Sequence, residues 1–185
     1  MRPDWPRFDN VWDGFTYFSR VSGPGRLILD GDFLLLSRFA TDAERQTALS
    51  LYVLTGSPFA IADYCDDPSD CPVDDGSPLR LYRNDELLRF HAEGLVGHPL
   101  DPDGSGARPP DGERWIGQLP DGTWVVGLFN RDDVPKWKRI RYRRHLGIRR
   151  RAATRDVWSG VDLGRRRSFR VKLRSHEHRL LTITP

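Results

Sequence analysis

Residues 101–112, DPDGSGARPPDG, divide the chain into two rhythms and constrain its fold more than any other stretch. Gly, Pro and Asp concentrate there, the composition of a turn or short linker. Before it, apolar runs of strand length alternate with helical segments. RLILDGDFLLL at 26–36 reads as a strand. In TDAERQTALSLYVL, Thr41 and Glu44 have capping-box spacing, where each side chain satisfies an orphan backbone donor. Ala43, Leu49, Leu51, Val53 and Leu54 make this a helix of roughly 13 residues. Ser57–Pro58 ends it. PFAIADY reads as a short, fully buried strand, and 79–90 (LRLYRNDELLRF) as another helix, with Leu81, Leu87, Leu88 and Phe90 near one face. Strand, helix, strand, helix is the order of parallel α/β units.

After residue 112 the segments are short and of strand type: RWIGQL, TWVVGLFN, KWKRIRY, TRDVW, SFRVKL and RLLTIT, with no helix signal between them. PDG at 120–122 makes a hairpin turn, and LGRRR at 163–167 separates two further strands. These features predict an antiparallel β-sandwich or small barrel. The expected organisation is an α/β part over 1–105 and an all-β part over 112–185.

Charge divides along the same line. Residues 136–179 hold 17 basic and 3 acidic side chains, whereas 1–135 hold 12 basic and 23 acidic. A basic C-terminal part raises nucleic-acid binding. Its arginines, however, alternate with apolar residues as on the wet face of a sheet, and no nucleic-acid motif is present. Arg outnumbers Lys 26 to 3, a bias that base composition alone can produce. No run of about 18 apolar residues occurs, so no membrane span is expected. MRPDWPRFDN lacks the apolar core of a secretion signal, and localisation stays open.

Cys65 and Cys71 could close a short disulfide loop or remain reduced; their spacing does not suit zinc. Asp63, Asp66, Asp67, Asp70, Asp74 and Asp75 in and around that loop read as a solvated acidic segment, since EF-hand spacing is absent. No metal and no cofactor are expected. His91 and His98 show no ligand spacing. Trp115, Trp124 and Trp158 read as sandwich core, and His176 and His178 as supports of the last hairpin.

The order of motifs resembles the C-terminal half of the α-galactosidase (melibiase) family of retaining glycoside hydrolases, the family 27 type. Gly23-Pro24-Gly25 followed by Leu29-Asp30-Gly31-Asp32-Phe33-Leu34 is similar to the family's seventh-strand G-P-G-x-W-N-D-P-D-M-L. Thr55-Gly56-Ser57-Pro58-Phe59 stands where the family has small-small-Pro-Leu. Arg83-Asn84-Asp85-Glu86-Leu87-Leu88 is similar to its T-N-x-E-V-I. Asp121-Gly122 through Leu128-Phe129-Asn130-Arg131 resembles D-G-x-x-x-V-x-L-F-N-R. Arg155-Asp156-Val157-Trp158 with Asp162-Leu163-Gly164 resembles R-D-L-W and D-L-G. His176 resembles the family's His-Gly near the last strand. Trp-Asn before the paired acids is replaced by Ile28-Leu29, and the cysteine loop has no counterpart.

The resemblance implies the C-terminal part of a (β/α)8 barrel, from its sixth or seventh strand to its eighth, followed by an antiparallel β-sandwich. Retaining hydrolysis needs a nucleophile and an acid/base about 5 Å apart. A full barrel takes about 250 residues, so the nucleophile-bearing half barrel is expected to be missing here. The family acid/base, in Arg-x-x-x-Asp, points to Asp4, as in a chain beginning mid-motif; Asp9 is second and also reads as a helix N-cap. Asp32 resembles the family acid that binds sugar hydroxyls, with Phe33 lining the pocket and Asp30 adjacent. Alternatively Asp30 and Asp32 only form a turn around Gly31. If they are buried, they need sugar hydroxyls or a partner such as Arg26 to offset desolvation.

The implied function is the C-terminal portion of an α-galactosidase-like hydrolase, inactive alone. Its partners would be an α-linked sugar and the missing half barrel, with neither nucleic acid nor membrane. The alternative is a non-catalytic carbohydrate-binding or interaction protein.

Overall fold

A computed structural model describes residues 5–23, 25–63, 78–100 and 111–185. Asp4, Pro24, both cysteines with most of their acidic loop, and 101–110 lie outside the described residues. The first helix, α1 (Trp5–Phe18), buries Trp5, Phe8, Trp12 and Phe15 on one face. Strand β1 (Phe33–Leu34), helix α2 (Asp42–Thr55) and strand β2 (Ala60–Ile61) form a βαβ unit with β1 and β2 parallel, Phe33 opposite Ala60. The capping box is present: Glu44 N–H donates to Thr41, and the Glu44 carboxylate accepts from the Thr41 N–H. Gly56 in the left-handed region (φ 69°) ends α2.

Three local readings need correction here. The strand read over 26–36 forms only at Phe33–Leu34, because the Asp-Gly-Asp before it turns. β2 is not fully buried: Ile61 is 53% exposed. Segment 79–90 is two pieces, a 3₁₀ turn at Pro78–Arg83 and helix α3 (Asp85–Ala92). Asn84 divides them, its side chain capping the Glu86 and Leu87 N–H groups. Leu87 and Phe90 are buried while Leu88 faces out.

The β part is an antiparallel sandwich. Strands β3 (His98–Leu100), β4 (Asp111–Gln118), β5 (Trp124–Phe129), β7 (Ala152–Asp156), β8 (Asp162–Arg166) and β10 (His178–Thr184) form a six-stranded sheet in the order β3-β4-β5-β10-β7-β8. Strands β6 (Lys136–Arg141) and β9 (Ser168–Leu173) pair as a separate ribbon. LGRRR is therefore mostly strand β8, in which Gly164 (φ 76°) donates its N–H to Asp162 Oδ1 at 2.7 Å, and only Arg167 separates β8 from β9. A one-turn helix, α4 (Tyr142–Leu146), follows β6 where no helix was expected. It is too short for periodicity to reveal. The 120–122 turn is as read, closed by Leu119 N–H to Thr123 O at 2.9 Å.

The six-stranded sheet is a middle layer. Val125, Phe129, Trp115 and Leu180 point into a core shared with α1, α2 and α3, while Val126, Leu128, Leu181 and Ile183 meet Ile140 and Leu173 of the ribbon. Burial on both faces explains the unbroken apolar run of β5, WVVGLF, and the apolar Leu180, Leu181 and Ile183 of β10. Trp115 is core as read; Trp124 and Trp158 are only partly buried. The α/β-plus-β class holds among the described residues.

Candidate functional site

The segment between Gly25 and Phe39 is held from beneath. The Gly31 N–H donates to Ser57 Oγ at 3.0 Å, and the Tyr52 hydroxyl donates to Gly31 O. Any Cβ at Gly31 would stand 2.5 Å from the Tyr52 ring and 2.6 Å from Phe15. Glycine is therefore required, and the chain must turn at once.

Asp30 and Asp32 make that turn. Asp30 Oδ1 accepts the Asp32 N–H at 2.8 Å, and Asp32 sits at φ 62°, a conformation Asp tolerates better than most residues. The turn directs Asp32 outward, its side chain 62% exposed, where Arg7 Nη2 of α1 donates to it at 3.0 Å. Phe33 beside it is 55% exposed. The two acids are thus not buried against the core, and the partner is Arg7 rather than Arg26, which donates to Arg20 O instead. A narrow cleft lined by Arg7, Val11, Gly31, Phe33, Leu34 and Tyr52 opens beside them. Arg7 was missed because α1 and the turn are distant in sequence. Only the opposite charges of RPDWPR and LDGD hinted at it.

Asp9 lies inside α1 and is not an N-cap. Its Oδ1 accepts from Arg131 Nε at 2.8 Å, and Asp13 takes Arg131 Nη1 at 2.8 Å, while the guanidinium lies over Trp12. This cluster joins α1 to the sandwich. Asp63 was read only as part of the acidic loop. It accepts the Leu36 and Ser37 N–H groups at 2.8 and 2.9 Å and the Tyr82 hydroxyl at 2.6 Å. Burial, then the Asp63 carboxylate, pushes the Tyr82 hydroxyl well above its ordinary range.

His178 is not a hairpin support. It is buried between α2 and the sheet, its Nδ1 3.1 Å from Thr47 Oγ1 and its Nε2 2.8 Å from Ser50 Oγ. Thr47 donates to His176 O and Trp158 Nε1 donates to Ser50 Oγ. The remaining hydrogens then place the His178 proton on Nδ1. Burial, then Arg179, pushes its pKa down to about 3, so the ring is neutral. His176 stacks on Trp5 at 3.9 Å and meets Glu44 through Nδ1 at 2.7 Å.

Residues 110–183 match the family described as alpha galactosidase C-terminal beta sandwich domain. Isomalto-dextranase of Arthrobacter globiformis is 40% identical over 98% of this chain and 28% of its own length. A protein named "Probable alpha-galactosidase B" of Aspergillus fumigatus is 28% identical over 99% of this chain and 46% of its own. Among solved structures, the A. globiformis isomalto-dextranase complexed with panose superposes with a TM-score of 0.81 at 39% identity, covering 94% of this chain and 29% of that one. A β-L-arabinopyranosidase from Geobacillus stearothermophilus shares the fold at 0.78 and 20% identity, over 100% of this chain and 43% of that one. The chain spans less than half the length of each of these relatives.

Proposed function

With residues 110–183 a melibiase-type sandwich domain and the whole chain similar to the C-terminal part of α-galactosidase-like glycoside hydrolases, we propose that it is that portion of a retaining hydrolase acting on an α-linked glucan. The observation that carries the substrate class is the 40% identity along nearly the full chain to an isomalto-dextranase, against 28% to an α-galactosidase. In this reading Asp32 and Asp30 accept hydrogen bonds from sugar hydroxyls, and Phe33 packs on a sugar face. Arg7 holds the Asp32 carboxylate until a sugar takes its place. An exposed ion pair is worth only about 0–1 kcal/mol, so the exchange costs little.

Asp4 remains the proposed acid/base. The engagement of Asp9 by Arg131 favours Asp4 over Asp9. Double displacement needs a second carboxylate about 5 Å from the first, and we assign the nucleophile to the part of the relatives that this chain does not span. Alone, the 185 residues should bind sugar without cleaving it. The test is hydrolysis of dextran and of a nitrophenyl α-galactoside by the purified chain. No turnover of either is expected, and turnover abolished by Asp4→Asn would overturn the proposal.

A further inference from the structure

The ribbon β6–β9 buries Ile140 and Leu173 in the sandwich core and turns a row of cations outward. Its outer cross-strand pairs are Trp137 with Lys172, Arg139 with Arg170 and Arg141 with Ser168. Like charges directly opposite one another destabilise a sheet, and Arg139 with Arg170 is such a pair. Around the end of the ribbon, Arg139, Arg141, Arg143, Arg144, Arg167 and Ser168 line an open cleft of about 500 Å³, with no carboxylate among the described residues of its wall. Among the described residues, Arg139, Arg141, Arg143 and Arg167 form no ion pair. The neighbouring His145 records the field. Burial first, then Arg114, Arg144 and Arg141, push its pKa down to about 4.

We propose that this face binds an acidic polysaccharide, the guanidinium groups gripping carboxylates spaced along the glycan chain. Arginine suits that task, because its planar fork matches a carboxylate bidentately. Nucleic acid fits less well. Single strands are held by bases stacked on several open aromatic rings, but here only Trp137 is open, at 58% exposure with Arg170 4.2 Å over one face, while Phe169 is partly buried with Arg166 at 5.9 Å. A two-stranded ribbon can enter a duplex major groove, but this one lies flat on its core. The choice of a glycan rests on the carbohydrate reading above; the cationic face itself uses none of the Asp32 site.

Affinity electrophoresis of the full 185-residue chain tests this in gels containing polygalacturonate, neutral dextran or a single-stranded oligonucleotide of matched charge. Retardation by polygalacturonate is expected, weakening steeply between about 50 and 200 mM salt. R139S/R141S should weaken it about tenfold and flatten the salt dependence, with an unchanged unfolding midpoint. R139K/R141K, which keeps charge but loses the fork, should fall between the two. D32N should abolish any dextran retardation and leave polygalacturonate binding intact, so the two sites fail separately. No retardation by polygalacturonate, tighter binding of the oligonucleotide, or an unaffected R139S/R141S would overturn the proposal.

Discussion

At the residue scale the pivot is Gly31. Its backbone is fixed by Ser57 and Tyr52, and two aromatic rings fill the space a side chain would need. Gly31→Ala should destabilise the chain by about 1–3 kcal/mol through overpacking, measured by chemical denaturation. Asp32→Asn should cost less than about 1 kcal/mol in the same assay, since its pair with Arg7 is exposed and Asn also tolerates a left-handed backbone. A large loss from D32N would mean that the acid serves the fold rather than a ligand. The sequence made the two acids conspicuous and offered a turn around Gly31 as one reading. Their outward aim was not legible, because it depends on Tyr52 and Phe15 arriving beneath the glycine from α2 and α1.

At the element scale, α2 is tied to the sandwich by a directed chain of hydrogen bonds. It runs from Trp158 through Ser50, His178 and Thr47 to His176 O. His178→Ala should cost about 2–4 kcal/mol, leaving a cavity and buried hydroxyls without partners. The same residue sets an acid limit. In the unfolded chain it takes a proton near 6.5, but in the folded state only near 3. The unfolded state therefore binds more protons across that window, and stability falls as pH drops from about 6.5 toward 3. The slope is at most about 1.4 kcal/mol per pH unit for this group. His145 adds a weaker effect of the same sign, being only partly buried and so screened. Denaturation midpoints at pH 7, 6, 5 and 4 check this, and H178F should flatten the trend. The elements themselves were largely legible. The Thr41/Glu44 box and the 120–122 turn carry their signals in local chemistry. Strand β8 and helix α4 were not legible: LGRRR looks like a turn until β7 pairs with it, and five residues carry no periodicity. Two segments resembling family motifs act at this joint. Arg131 anchors α1, and Arg155 bonds Glu86 of α3.

At the scale of the whole molecule, the proposed reading makes the parallel pair β1–β2 part of a larger barrel sheet. Among the described residues β1 pairs only with β2, and Phe33, Ile61 and Ile28 lie open beside it. Unpaired edges with apolar neighbours promote association. The isolated chain should self-associate with concentration in light scattering, and Ile61→Lys should shift it toward monomer. A monodisperse wild-type monomer that unfolds cooperatively would count against a missing wall. The order of an α/β part before an all-β part was visible in sequence, whereas the middle-layer sheet serving both cores was not, since its two faces alternate within single strands and it recruits β3 from before residue 105.

The most direct measurement is a panose titration followed by backbone amide NMR shifts of the chain. Saturable shifts centred on Asp30–Phe33 and Arg7, lost in Asp32→Asn and accompanied by no hydrolysis, are the expected result. Panose binding that leaves those amides unmoved, or no binding at all, would contradict the assignment of Asp32 to a sugar site.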